Sequence, residues 1–204
     1  GEYRRQRQMC IRDSICTLMS VQNHKKIIDA SKLSLILNRL ASQLFEKHND
    51  FSNAVIIGIQ PRGKELSIKL KELIEKNYNI SKINIGFLDV TFFRDDFGRE
   101  NKILSANKTS IDFIVEDKIV ILVDDVLYTG RSIRSALTAL QSFGRPKKVE
   151  LLTLIDRRFS RHLPIQPDYC GIQVDSINNQ RLTVKWKEND GEDAVYIYKK
   201  DGKN

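Results

Sequence analysis

A chain of 204 residues with 41% hydrophobic content can hold one sizeable core, and no Pro- or Ser-rich linker divides it, so a single domain is the default expectation. Its longest uninterrupted apolar runs, such as Ala54 to Ile57 and Ile119 to Val123, are strand length, far short of the roughly 20 residues a membrane span needs. The formal net charge of +8 favours anionic partners such as nucleotides, phosphosugars or RNA, although a solvated Lys-rich surface accounts for most totals of this size.

The first eighteen residues, GEYRRQRQMCIRDSICTL, show no helical or strand period and precede a plausible start at Met19-Ser20. They lack the apolar centre of a signal peptide. They are expected to stand outside the fold, as disordered or artefactual sequence, with a basic arm as the alternative; residues 19–204 are left as the domain. Arg4, Arg5, Arg7 and Arg12 against Glu2 and Asp13 supply +2 of the +8. Cys10, Cys16 and Cys170 form neither an even framework nor a CxxC pair, which fits a reducing cytoplasm. His24, His48 and His162 lie at no metal-ligand spacing, so a zinc site is not expected.

From Ser31 onward, Leu33, Ile36, Leu37, Leu40, Leu44 and Phe45 recur at spacings of three and four, which predicts a helix ending near His48-Asn49-Asp50. AVIIGI, Ala54 to Ile59, reads as a strand and Pro61-Arg62-Gly63 as a turn. A second helix follows with Leu66, Leu70, Leu73 and Ile74 as its stripe, and then a candidate strand at Ile83 to Val90. The stretch from Thr91 to Asp117 is long and polar and contains Gly98, as a functional loop does. IVILVD predicts a strand, Ser132 to Phe143 a helix with Ile133, Ala136, Leu137 and Leu140 inward, and Val149 to Ile155 a further strand. This alternation predicts an α/β fold with a mostly parallel central sheet flanked by helices. RLTVKW and AVYIY around Asp190-Gly191 read instead as a small C-terminal hairpin.

One run carries the chemistry. IVILVDDVLYTGRS, residues 119–132, passes from a buried strand to two adjacent carboxylates and then to a turn of small and polar residues opening a helix. In a doubly wound sheet ligands sit beyond the carboxyl ends of the strands, where Asp124 and Asp125 are expected to fall. Two neighbouring acids repel and desolvate each other, so they require hydroxyls, a cation or an arginine. Thr129, Gly130, Arg131 and Ser132 supply hydroxyls, a residue free to take positive φ, and unpaired N–H groups at a helix start, the makings of an anion cradle. Acids followed by such a cradle suit a phosphorylated sugar, with carboxylates for the ribose hydroxyls and amides for the 5′-phosphate.

VILVDDVLYTGRS, residues 120–132, resembles the thirteen-residue phosphoribosyl-pyrophosphate (PRPP) motif of type I phosphoribosyltransferases, and its LYTGRS ending resembles the pyrimidine-operon attenuation regulator / uracil phosphoribosyltransferase (PyrR) family. GIQPRG at Gly58 to Gly63 is similar to that family's pyrophosphate loop. LDVTFFRDDF at Leu88 to Phe97 is similar to the start of its mobile loop, and LIDRRFSRHLPIQPDYCG at Leu154 to Gly171 to the segment closing its site. The resemblance covers nearly everything from Lys25 to Tyr198.

The resemblance implies a type I phosphoribosyltransferase fold and a reaction in which uracil and PRPP give UMP and pyrophosphate with Mg²⁺, as pyrimidine salvage. The implied PRPP site is Pro61, Arg62, Asp124, Asp125, Val126, Leu127, Tyr128, Thr129, Gly130, Arg131 and Ser132; Asp124 and Asp125 would meet Mg²⁺, largely through water. Arg62 would bind the departing pyrophosphate, and Arg94 would reach it from a closing lid, or else pair with Asp95 or Asp96 on the surface. Arg157 matches a position near the nucleotide product, and groups near Arg181 and Leu182 would hold uracil. Gln60-Pro61 stands where family members commonly carry a Lys-Thr or Arg-Thr pair. A second family activity is UMP-dependent binding of pyrimidine operon mRNA. This chain departs from its pattern, with Asn38 to Ser42 on the first helix, Arg158 to His162 after the later strand, and Gln166 where a basic residue would meet phosphate. Arg39, Arg158, Arg161 and His162 remain as a different basic patch. The family implies a homodimer or higher homo-oligomer.

Overall fold

The structure, a computed structural model, describes residues 24–93, 108–175 and 180–199. The chain forms two compact units: Ser31–Asn178, and the chain ends Gly1–Ala30 with Asn179–Asn204, of which 24–30 and 180–199 are described. The expected extension at 1–18 lies outside the described residues.

In the larger unit, α1 (Ala30–His48), β2 (Ala54–Ile59), α2 (Arg62–Tyr78), β3 (Ile85–Leu88), β4 (Ile119–Leu127), α3 (Arg131–Leu140), β5 (Lys148–Arg157) and β6 (Tyr169–Val174) follow β1 (His24–Ile28) in the chain. The five strands β2 to β6 form one sheet in the order β3-β2-β4-β5-β6, with every pairing parallel. Strands buried on both faces need no alternation, which is why AVIIGI is apolar throughout and buried at every position. Val120 and Leu122 of β4 share an apolar cluster with Ile133, Ala136 and Leu140 of α3, while α2 packs on β2 and β4 through Leu66, Leu70 and Ile74. No described helix is long and apolar enough to cross a membrane.

Two glycines set how closely α2 approaches the sheet. A Cβ on Gly63 would run into the Val123 carbonyl and stand 3.2 Å from the Asp124 Cα, and one on Gly58 would stand 2.8 Å from the Gly63 carbonyl oxygen. The first turn of α2 therefore rests directly on the point of β4 where the two acids begin.

The smaller unit is a three-stranded antiparallel sheet in the order β1-β8-β7, with β7 at Gln180–Lys185 and β8 at Ala194–Lys199. The expected hairpin is present, its turn formed by the short helix α4 (Lys187–Asp190) and Gly191 at φ +80°.

Leu137 departs from expectation. It is 38% exposed, because at about 100° per residue it falls at the edge of the arc that buries Ile133, Ala136, Ala139 and Leu140; the helix ends at Leu140 and passes into a 3-10 turn at Gln141–Phe143.

Candidate active site

Strand β2 leads through α2 to β3 on one side of the sheet, whereas β4 leads through α3 to β5 on the other. The order reverses between β2 and β4, and a crevice at the carboxyl ends of such a pair is where ligands of open α/β sheets bind. The pairing of β2 with β4 runs from Ala54↔Ile119 to Gly58↔Val123, while β4 continues alongside β5 as far as Leu127↔Asp156. The two strands part at Val123, and Asp124 is the first residue past the fork. The acids therefore do not lie beyond the strand as expected; they lie inside β4, because β5 still supplies a hydrogen-bonding neighbour there.

Within a strand successive side chains point to opposite faces, and the two acids do so. Asp124 is half-buried and lines a cavity of about 250 Å³ together with Val126 to Ile133. Asp125 is 7% exposed; burial pushes its carboxyl above the usual range, opposed by the positive charge of Arg62. Each carboxylate also accepts from the next backbone amide, Asp125 N–H to Asp124 Oδ1 at 2.9 Å and Val126 N–H to Asp125 Oδ1 at 2.8 Å. One acid thus addresses the cavity and the other addresses the start of α2.

The cavity's wall is the loop from Tyr128 to Ser132. Gly130 takes φ +88° at the head of α3, and no side chain caps this helix. Its Cβ-less backbone also lies under Ile165 and Leu163, whose nearest atoms would be 3.2 and 3.5 Å from a Cβ there. The Arg131 amide makes a long contact of 3.4 Å to the Thr129 hydroxyl, and a helix start of this kind, headed by a glycine, suits an anion. Across the fork, Pro61 occupies the N-cap position of α2 after a cis Gln60-Pro61 bond, and Arg62 opens the helix with its side chain exposed.

Arg157 was expected beyond the strand predicted at Val149 to Ile155. It is instead the last residue of β5 and 5% exposed, because pairing with β6 reaches Arg157↔Val174. Its guanidinium covers the Tyr128 ring. Arg181 is exposed and Leu182 half-buried on β7, in the smaller unit. Arg94 lies outside the described residues.

Two features escaped the sequence reading. Asp89 is buried, and its Oδ1 accepts from the Thr91 amide at 2.8 Å and hydroxyl at 2.6 Å, while its own amide donates to the Thr109 hydroxyl at 3.1 Å. With the Phe87–Ser110 bridge and the Gln60 side-chain Nε2 donating to the Lys108 carbonyl, this ties together the two stems at Thr91 and Thr109. The second is Arg161 in the 158–165 segment, which donates to both Asp156 and the Tyr128 carbonyl. An Asp followed two residues on by Thr is a recognisable local turn signal for the first; nothing local marks the second.

Comparison with known proteins agrees with this geometry. Residues 24–189 match the phosphoribosyl transferase domain model. The chain is 41% identical over 179 residues to a bifunctional protein PyrR from Desulfosudis oleivorans, covering 88% of this chain and 98% of that one. It is 42% identical over 172 residues to the one from Acetivibrio thermocellus, covering 84% and 92%. Among solved structures, a hypoxanthine phosphoribosyltransferase from Staphylococcus aureus superposes with a TM-score of 0.64 at 21% identity, over 89% of this chain and 94% of that one, a likeness of fold. The chain belongs to the PyrR family of phosphoribosyltransferases.

Proposed function

We propose that the protein is a uracil phosphoribosyltransferase, joining uracil to the ribosyl carbon of PRPP to give UMP and pyrophosphate. The observation that carries this reading is that Asp124 and the Val126 to Ile133 loop line one cavity at the fork of β2 and β4, with Arg62 on the facing helix start. In the reaction, uracil N1 bonds to C1′ as the C1′–O bond to pyrophosphate breaks, and the N1 proton is lost. Positive charge builds on the ribose and negative charge on the leaving group, so stabilisation is chiefly electrostatic.

Asp124 accepts from a ribose hydroxyl, and the amides of Thr129 to Ser132 hold the 5′-phosphate. Arg62 meets the pyrophosphate with a fork suited to bidentate contact. Asp125 keeps Arg62 at that end of the site through the charge they share. Arg94, next in the chain after Phe93, is assigned to the pyrophosphate as well. Uracil, a neutral planar base, calls for fixed backbone donors and acceptors, and Arg157 is the candidate residue close to the nucleotide product.

Mg²⁺ fits the donor set. Among the described residues no group of three or more His, Cys, Asp or Glu forms a cage, whereas Asp124 offers carboxylate oxygens at the cavity and Asp125 follows it, hard donors suited to a cation that also binds substrate phosphates. Asp124 would hold it at the cavity, in part through water, while Asp125, turned to the other face of β4, would add its charge from behind; bound there the ion would neutralise charge on the pyrophosphate.

The direct test is UMP formation from uracil and PRPP, with hypoxanthine and guanine as competing bases. Turnover of uracil supports the reading, and turnover of a purine alone rejects it.

The relatives' shared name, bifunctional protein, favours a second role, for which we retain UMP-responsive binding of pyrimidine operon mRNA. Arg158 of the basic patch is engaged by Asp175 at 2.8 and 2.7 Å, which reduces the charge left for phosphates. A salt-titrated binding assay with pyrimidine leader RNA, with and without UMP, separates the two roles; a flat response independent of UMP leaves the enzyme alone. Assembly as a homodimer or larger is read from sedimentation of the same preparation.

A further inference from the structure

The loop that lines the cavity is gripped from behind. Arg161 Nη1 donates to the Tyr128 carbonyl at 2.6 Å, and the His162 backbone amide donates to the Thr129 carbonyl at 3.0 Å. A second guanidinium nitrogen of Arg161 bonds Asp156, which is buried at the end of β5. The sheet thus anchors Arg161, and Arg161 anchors the loop. Neither Arg161 nor His162 lines the loop's cavity, whereas Arg161, Leu163 and Ile165 line a separate one of about 490 Å³. The two carbonyls are therefore turned out of the cradle. In a trans peptide the N–H points opposite to the C=O, so the amides of Thr129 and Gly130 are turned into it. Tyr128, whose carbonyl Arg161 holds, is also held by its ring, under Arg157.

We infer that Arg161 is a positioning residue for phosphate binding: by fixing the Tyr128 carbonyl against Asp156, it presents consecutive loop amides to the 5′-phosphate of PRPP. Without it, the first of these peptides is free to rotate, and a carbonyl oxygen would then face the phosphate in place of a donor. The role acts through the loop and involves no contact with substrate. It also explains why a cation so near a phosphate site is neutralised by its own carboxylate: its charge is used for geometry. This inference rests on the proposed PRPP-binding function.

The test is calorimetric titration of PRPP into wild type, Arg161→Ala and Arg161→Lys, followed by steady-state kinetics. Loss of one charge-assisted hydrogen bond to the loop predicts that Arg161→Ala weakens PRPP binding and raises its KM by about tenfold, with the KM for uracil changed less than about twofold. Arg161→Lys, whose single ammonium cannot bridge Asp156 and the carbonyl together, should fall between the two. It decides the matter if the Ala variant fails to fold. An equal rise in both KM values, or unchanged PRPP affinity in a folded variant, overturns the inference and leaves the proposed function standing. Wild type that does not bind PRPP overturns both.

Discussion

The guanidinium of Arg157 lies 4.0 Å from the centre of the Tyr128 ring, so a buried strand-end arginine covers an aromatic of the loop that walls the cavity. Only the ring is needed for this contact, so Tyr128→Phe should keep kcat/KM for PRPP within about twofold, whereas Tyr128→Ala should lose on the order of 1 kcal/mol of PRPP affinity. Kinetics of the two variants side by side check this; equal losses would mean that the hydroxyl, and not the stack, matters.

Gly63 is the tightest point between α2 and β4. Gly63→Ala places a methyl group against the Val123 carbonyl and the Asp124 Cα, which are backbone and cannot rotate away. Overpacking of this kind should cost about 1–3 kcal/mol, read by urea unfolding. Catalysis should fall further than stability does, because the displaced residue is Asp124.

At the opposite end of β5, Glu150 is buried among His48, Tyr169, Lys47 and Lys148. Burial alone would raise its carboxyl, but hydrogen bonds from Lys148, Tyr169 and Lys47 overcome this and hold it at about 2. Its unfolded value is near 4.5, so as pH falls the unfolded chain takes up the proton first. The contribution is complete above pH 4.5 and is lost as pH falls toward 2; the shift corresponds to something on the order of 3 kcal/mol. Burial likewise holds His48 below its ordinary range, so its protonation below about pH 6.5 acts in the same direction. Chemical denaturation at a series of pH values should show stability falling across this window, and Glu150→Gln should flatten the acid part of the curve.

Much of the fold was legible because buried parallel strands are written as unbroken apolar runs: AVIIGI predicted β2 to the residue. Where prediction stopped short, a neighbouring strand was the reason. The run IVILVD appeared to end at its acids, yet β4 continues to Leu127 because β5 pairs with it there. Leu137 belonged to an apolar period but falls at the edge of the arc of α3 that Ile133, Ala136, Ala139 and Leu140 bury. The lining of the cavity was legible where its parts are consecutive, as in Val126 to Ser132. Arg161 was not, because its partner Tyr128 lies 33 residues away and only folding of the 158–165 segment brings them together.

The account depends most on the acids at the fork of β2 and β4. UMP formation by the Asp124→Asn/Asp125→Asn double variant, compared with wild type at matched thermal melting, tests it most directly. The predicted result is loss of turnover to background in a protein that remains folded, since Asp124 lines the cavity and Asn matches the volume of the buried Asp125. Wild-type turnover in the folded double variant would contradict it.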